Sequence, residues 1–263
     1  MRKSVIWLAT ILGFLALLVS ILPLLLQSFS AGWSWPHLFP TAYSWRSWIY
    51  LFSPSSRTWE AVMNTLVIAF AVTLINLVVS IPAANALARW PMKGKWMMEA
   101  LLFAPLVVPA FVPMMGIHMT FIGLGLTDTL WGVILAHVIP TVPYVLRALI
   151  TSYRTLGFEW EEQARMLGAR RMQRFYHIVF PHLLPGIAAG AGLSLLVSAS
   201  QYLITLLIGG GQVITLPLLL FPFISGGDPA VGSAYSLLFV GVALLAMLSM
   251  DFLLKGYYAK RNF

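Results

Sequence analysis

Few residues of this chain could carry out covalent chemistry. The 263 residues include no cysteine, which excludes disulfides, thiol nucleophiles, iron–sulfur clusters and thiolate zinc sites. No serine–histidine pair or H-E-x-x-H motif indicates hydrolysis. No G-x-x-x-x-G-K-S/T loop could bind nucleotide, because Gly94 and Lys95 are followed by Trp96. We therefore predict no catalytic residue, no metal site and no cofactor bound by the chain itself.

The densest cluster of charged side chains lies in one polar segment, residues 151–185. Its first part predicts a short helix with acids in the first turn and a base in the last, as the helix dipole favours: Glu159, Glu161, Glu162 and Arg165. Gly168 can adopt a positive φ and end that helix. A second helix, about 170–180, would place Phe175 and Ile178 on one face and arginines on another. The segment thus predicts a helix–turn–helix elbow.

The elements that must position this elbow are membrane spans. Hydrophobic residues make up 60% of the chain and charged residues 9%, against about 45–50% and about 25% in soluble domains. Six apolar stretches are long enough to cross the hydrocarbon as helices, which takes ~20 residues. They cover about 5–27, 61–88, 97–122, 129–150, 186–208 and 233–254. The short alternating segments of a strand-built barrel are missing from the sequence. We therefore predict an all-α, polytopic membrane protein with six transmembrane helices.

The positions of the cations predict the orientation of the spans. An even number of spans places both termini on one side, and that side collects all of the 16 lysines and arginines except Arg46 and Arg57. This asymmetry predicts that both termini are cytoplasmic. It also explains the net charge of +8 without a nucleic-acid partner. The aromatic-rich segment 28–60 would then be external and lie at the membrane–water boundary, with a substrate-stacking surface as the alternative.

The polar segment also carries a family pattern. It resembles the EAA loop of permease subunits of binding-protein-dependent ABC importers, which runs E-A-A-x-x-x-G-A and continues to an aromatic residue, an isoleucine, a proline and a final P-G. The matching residues are Glu162, Ala164, Gly168, Ala169, Phe175, Ile178, Pro181, Pro185 and Gly186. Gln163 and Phe180 depart from the pattern without disturbing the elbow. Residues 64–66 and 86–89, at the ends of the second span, also resemble the family, and the resemblance covers residues 60–255.

This resemblance implies a division of labour among several proteins in the bacterial inner membrane. Such a permease has the type I importer fold and pairs with a second permease, in this branch a different but related chain. It works with two ATP-binding subunits, which would hold ATP and Mg²⁺, and receives solute from an extracytoplasmic solute-binding protein. Membrane lipid surrounds the spans. The short helix would fit a cleft on the ATPase, which assigns ATPase coupling to Glu159, Glu161, Glu162, Gln163, Ala164, Arg165, Leu167, Gly168, Ala169 and Arg170.

Polar side chains within the spans mark candidate positions on a solute pathway, because such groups are costly in lipid. They are His118, His137, Ser194, Ser198, Ser200, Gln201 and Tyr202. Ser194, Ser198 and Gln201 share one helix face. Hydrogen bonding between helices explains the serines equally well, and a satisfied structural role is the alternative for the histidines. Gly186 and Gly190 favour a close helix contact, either within the subunit or between subunits.

The domain organisation follows from these segments. Residues 1–60 hold the first span and the external segment, residues 61–255 form the permease core, and residues 256–263 form a cytoplasmic tail. The part after Ser198 resembles the spermidine/putrescine, ferric-iron, thiamine and phosphonate branch, although the neutral Ser200 weakens a polyamine assignment. The alternative function is an ion-gradient-driven secondary transporter or channel. Such proteins hold acids inside their spans, whereas the acids here lie near span ends or in loops.

Overall fold

Helices make up the regular structure of the chain. The computed structural model describes residues 2–33, 36–109 and 111–259, and in these residues it has no strand beyond a single bridge between Ser30 and Tyr43. This confirms the predicted all-α class. The α-helices of the described residues are α1 (Arg2–Ser28), α2 (Arg46–Leu51), α3 (Thr58–Arg89), α4 (Lys95–Val107), α5 (Phe111–Gly123), α6 (Leu130–Leu156), α7 (Glu159–Met166), α8 (Arg171–Arg174), α9 (Phe180–Ala199), α10 (Leu203–Gly209), α11 (Leu216–Ile224) and α12 (Pro229–Ala259).

Several of these helices are long and apolar enough to cross a membrane. Within the described residues they are Thr58–Arg89, Leu130–Leu156, Arg171–Ala199 and Pro229–Met250, and α4 with α5 adds a fifth if the two form one span. The first predicted span, 5–27, lies within α1. In this helix Val19–Ser28 is a shorter apolar stretch, below the length that crosses a membrane. The multi-pass character is therefore confirmed, whereas the count of six spans and the side on which the termini lie stay predictions.

The predicted third span, 97–122, consists of two helices, α4 and α5. α4 and α5 are bent by 102° relative to each other across the short break between them. Val108 is extended, with φ −78° and ψ 124°, because the ring of Pro109 disfavours a helical conformation in the residue before it. Pro113 follows in the first turn of α5, where a missing N–H leaves no helical hydrogen bond unmade.

The predicted fifth span, 186–208, is wrong at both ends. One helical segment runs over Arg171–Ala199 and includes a π-helical turn at Phe175–Val179. The separate helix predicted for 170–180 is therefore the beginning of this span. At the other end the helix stops at Ala199, and the hydroxyl of Ser200 donates to the carbonyl of Val197 at 3.0 Å. Ser200 is the residue that follows the end of α9, and α10 begins only after this break, at Leu203.

The chain divides into two compact units. One comprises Met1–Met63 with Thr215–Val242, and the other comprises Asn64–Ile214 with Ala243–Phe263. The segment around α11 thus belongs to the same unit as the N-terminal residues, and the predicted division into 1–60, 61–255 and 256–263 stays a prediction. The last four residues of the predicted tail, and Trp35 of the aromatic segment, lie outside the described residues.

In the first unit, aromatic side chains join the segment around α2 to α11 and the start of α12. The ring of Phe223 stacks on Tyr235 with centroids 5.6 Å apart and meets Tyr50 edge-on at 5.9 Å. The hydroxyls of Thr58 and Tyr235 lie 2.8 Å apart, and Arg46 forms an ion pair with Asp228. The part of the aromatic segment around Tyr50 and Thr58 therefore packs on α11 and α12 within its own unit.

In the second unit, the core is formed where α6 and α9 pack at close range. A Cβ atom on Gly186 would lie 2.3 Å from the Ser152 hydroxyl, and one on Gly190 would lie 2.9 Å from Val145 Cα. Both glycines are therefore needed for this contact, and the two helices that they bring together belong to the same subunit. Residues of α3 complete the same core, whose buried members include Ala84, Leu87, Leu146, Leu149, Leu183 and Leu184.

Candidate functional site

α7 is a two-turn helix that ends in a hydrogen-bonded turn around Gly168. The N–H of Gly168 donates to the carbonyl of Arg165, and the N–H of Ala169 donates to that of Ala164, both at 3.0 Å. With Gly168 at φ +83°, this pair of bonds is a Schellman motif, which satisfies the last carbonyls of a helix. Gly168 thus ends the helix as predicted.

Short connections tie α7 to the two long helices beside it. Only Gly157 and Phe158, called the α6–α7 joint below, separate α6 from α7. After the Schellman turn, Arg170 is extended, and its N–H donates to the Gln173 side chain at 2.8 Å, which starts α8. Because α8 continues into α9 through the π-helical turn, α7 is connected to both long helices by short segments.

The two faces of α7 differ in exposure. Glu161 and Ala164 are half-buried against the rest of the subunit, whereas the other predicted coupling residues of this helix are exposed: Glu159, Glu162, Gln163 and Arg165. Three apolar side chains project with them, since Trp160 is 62%, Met166 88% and Leu167 89% exposed. An acidic helix that ends in such exposed apolar side chains presents a surface suited to a protein partner.

Arg89, the last residue of α3, fixes the inner face of α7. Its side chain is only 6% exposed and forms an ion pair with Glu161. Its Nη2 donates to the carbonyl of Gly157 at 2.6 Å. The guanidinium carbon lies 4.9 Å from the ring centre of Tyr153 and 5.0 Å from that of Phe158, which are cation–π distances. Sequence analysis counted Arg89 only as a cation and as part of the 86–89 resemblance, and missed these contacts.

Three predicted pathway residues are buried inside the second unit and hydrogen-bonded there. His137 Nδ1 lies 3.1 Å from the Ser198 hydroxyl, and its Nε2 lies 3.0 Å from that of Thr205. Ser194 is fully buried and accepts from Asn76 Nδ2 at 2.8 Å. These bonds link α3, α6, α9 and α10, which favours the structural alternative for these three residues.

Asn76 is the centre of this buried network, and sequence analysis missed it. It is fully buried, and its Nδ2 also donates to the Thr141 hydroxyl at 2.7 Å. An asparagine in the middle of an apolar span was the available signal. Its partners lie 65 and 118 positions away, and no local pattern indicates them.

The other predicted pathway residues lie nearer the surface of the subunit. Ser200 is exposed, and Gln201 and Tyr202 are half-buried, all three in the break between α9 and α10. His118 is half-buried on α5. The structure therefore does not gather the seven predicted residues into one site. Among the described residues, no group of three or more metal-binding side chains comes together.

Comparison with known proteins assigns the chain to a family. Residues 76–261 match the family described as the inner membrane component of binding-protein-dependent transport systems. The chain belongs to this family. It is the permease subunit of an ABC importer, a multi-pass protein of the inner membrane, as the EAA-loop resemblance predicts.

Curated relatives within the family are named as permeases of several transport systems. A protein named as the 2-aminoethylphosphonate transport system permease PhnV of Salmonella typhimurium is 24% identical over 92% of this chain and 91% of its own length. The spermidine/putrescine transport system permease protein PotC of Haemophilus influenzae is 27% identical over 89% of this chain and 90% of its own. The molybdenum transport system permease protein ModB of Mycobacterium tuberculosis is 30% identical over 78% and 82%.

A solved structure shows the same fold. It is the crystal structure of a bacterial ABC transporter involved in the import of the acidic polysaccharide alginate. One of its chains matches with a TM-score of 0.69 over 98% of this permease and 97% of that chain, at 17% identity. At that identity the likeness concerns the fold alone.

Proposed function

We propose that this permease forms part of an ATP-driven import pathway and that α7 with its Schellman turn is the coupling element that docks on a separate ATPase subunit. The complete assembly would contain two ATP-binding subunits that hold ATP and Mg²⁺, a second and related permease, and an extracytoplasmic solute-binding protein. Both termini and α7 would face the cytoplasm, with six transmembrane helices in the lipid.

The exposed face of α7 carries this proposal. Met166 and Leu167, at 88% and 89% exposure, end a helix whose opposite side is held by Arg89. A partner that covers these side chains would bury two apolar groups, each worth about 1.5–3 kcal/mol when fully removed from water. The exposed Glu159 and Glu162 add charge at the helix N-terminus, where partner cations would meet them.

The coupling is a shift between two populations of the permease. ATP biases one state only if the contacts between the ATPase and α7 differ in free energy between the states. Short connections support this proposal, because α7 joins α6 through two residues and joins the continuous helical segment Arg171–Ala199 through residues 167–170. Nucleotide-driven closure of the ATPase pair would move α7 and thereby both long helices.

A solute pathway completes the proposal. Ser200, Gln201 and Tyr202 lie at the α9–α10 break, where backbone groups outside regular helices need polar surroundings. With His118 they are the predicted residues least enclosed within the subunit. Ser194, Ser198 and His137 would support the pathway from behind, through the hydrogen bonds that join its helices.

A co-purification experiment tests the docking role. The tagged permease with Leu167→Glu is expected to lose most of the bound ATPase subunit that the wild-type chain retains. Leu38→Glu is the matched control, because Leu38 is 74% exposed in the segment predicted to be external. Full retention of the ATPase by the Leu167→Glu chain would contradict the proposal, as would equal loss in both variants.

A further inference from the structure

Arg89 makes four contacts that converge on the end of α6, the α6–α7 joint and α7. Its guanidinium reaches Glu161 and the Gly157 carbonyl with its Nη atoms and lies over the rings of Tyr153 and Phe158. The residue itself belongs to α3, 72 positions before Glu161. α3 is not adjacent to the loop in the sequence, because α4, α5 and α6 lie between them, so this side chain joins the loop to a span that sequence adjacency does not reach.

We propose that Arg89 is a positioning residue that clamps α7 to the end of α3, so that α3 becomes a third span driven by the coupling helix, besides α6 and α9. This inference rests on the proposed function, because it assigns the route by which movement of α7 enters the subunit. Glu161 then acts through Arg89 inside the permease and does not touch the ATPase.

The contact set requires arginine and not only a positive charge. A guanidinium can donate in two directions from one plane and offers a flat face to two rings, whereas a lysine ammonium is a compact point charge. With 6% of the Arg89 side chain and 24% of the Glu161 side chain exposed, separating the pair would leave a nearly buried charge without its partner. Such separation is strongly unfavourable, so α7 and the end of α3 are expected to move together.

The end of α3 is packed so that it can transmit this movement. Ala84 and Leu87 lie five and two residues before Arg89 and are buried in the core that α6 and α9 share. Close-packed cores shift as units and do not deform gradually. A displacement imposed on Arg89 therefore reaches the interior of the span and does not end at a flexible side chain.

The first test measures the position of α7 in the full-length permease in nanodiscs, without the ATPase. Because the chain has no cysteine, spin labels on Trp90→Cys and Gln163→Cys report one distance distribution between α3 and α7. We expect a narrow distribution of label-to-label distances when Arg89 is retained. The distribution should be clearly broader in Arg89→Gln, and it should be broadened in Arg89→Lys as well. Arg154→Gln is the control, because Arg154 is 55% exposed and its ion-pair distance is 3.9 Å. Unchanged widths in both Arg89 variants would overturn the proposal.

The second test is a double-mutant cycle on the affinity of the permease for its ATPase subunit. Arg89→Lys and Glu161→Gln should each weaken binding by about 10-fold, the effect of losing one charge-assisted hydrogen bond. The double variant should be no weaker than either single variant, because both act on one contact. Additive losses of about 100-fold would show that Glu161 meets the ATPase directly and would overturn the inference.

The two proposals fail in distinguishable ways. If Leu167→Glu leaves ATPase binding intact, the docking role of α7 is wrong, whatever the spin labels show. If Leu167→Glu abolishes binding while the Arg89 variants keep both the wild-type distance distribution and the wild-type affinity, α7 docks as proposed and Arg89 does not position it.

Discussion

Gly168 offers the sharpest perturbation of the coupling element. Its φ of +83° is a conformation that L-residues rarely adopt, and a Cβ atom placed there would meet nothing within 4 Å in the subunit. Substitution is therefore penalised by backbone conformation and not by a clash. A non-glycine residue at such a φ costs about 1–3 kcal/mol, and a β-branched one lies at the upper end. Asparagine tolerates the left-handed region best.

These costs predict an order of ATPase affinities. For Gly168→Val, a cost of about 2 kcal/mol lowers the population of the Schellman turn, and with it the affinity, by roughly 30-fold. Gly168→Ala should lose less, and Gly168→Asn should stay near wild type. The turn is local and exposed, so membrane insertion and the global unfolding temperature should not change.

The assay is the equilibrium binding of the ATPase subunit to each permease variant in nanodiscs, with Gly116→Val as the matched control. Gly116 also has nothing within 4 Å of a Cβ atom but lies inside α5 without a positive φ. Equal affinity of the valine and asparagine variants would refute the conformational reasoning. If the valine and asparagine variants bind the ATPase equally weakly, the partner excludes any side chain at this position. If both bind like wild type, the turn does not matter for docking.

Three further predictions concern the second unit. Gly190→Ala should destabilise the permease by about 1–3 kcal/mol, because its Cβ would lie 2.9 Å from Val145 Cα. Thermal unfolding in detergent should show a lower midpoint for this variant. The control Gly241→Ala, at a position with open space around a Cβ atom, should leave the midpoint unchanged. Asn76→Ala should lower the free energy of unfolding by about 1–2 kcal/mol, because two interhelical hydrogen bonds are lost. The control Thr151→Ala removes only a hydrogen bond within one helix. Equal thermal unfolding midpoints for the two variants would contradict a stabilising role of the network. Ser200→Cys should react with a maleimide in the assembled transporter and Ser194→Cys should not, since Ser194 is fully buried; comparable labelling of both would place Ser194 on an open pathway.

Local patterns made the short helix α7 and its turn predictable from the sequence. The acids at the start, Arg165 in the last turn and Gly168 after it predict the helix through its dipole and through the conformation of one glycine. Both effects act between neighbouring residues. The same holds for the apolar stretches, which give α3, α6 and α12 to within several residues. The break between α4 and α5 has a local cause as well, at Pro109, but hydropathy alone averages over it.

Long-range contacts account for what sequence analysis missed. Arg89 at the end of a span is typical of a cation at the membrane surface, and only the fold places Glu161 and two aromatic rings around it. The serines of α9 looked equally suited to a pathway or to helix packing. Their hydrogen bonds to Asn76 and His137 depend on how α3 and α6 pack against α9, and no spacing within one helix encodes that arrangement.

The most direct test of docking is a photo-crosslinking amino acid at position 167 of the permease in the assembled transporter. Leu167 is 89% exposed at the end of α7, so covering it requires a partner. Irradiation should join this position to the ATPase subunit, whereas the same amino acid at position 39, an exposed aromatic site in the segment predicted to be external, should not. Absence of an ATPase adduct at position 167, in a complex that contains the ATPase, would contradict the assignment of α7 as the coupling helix.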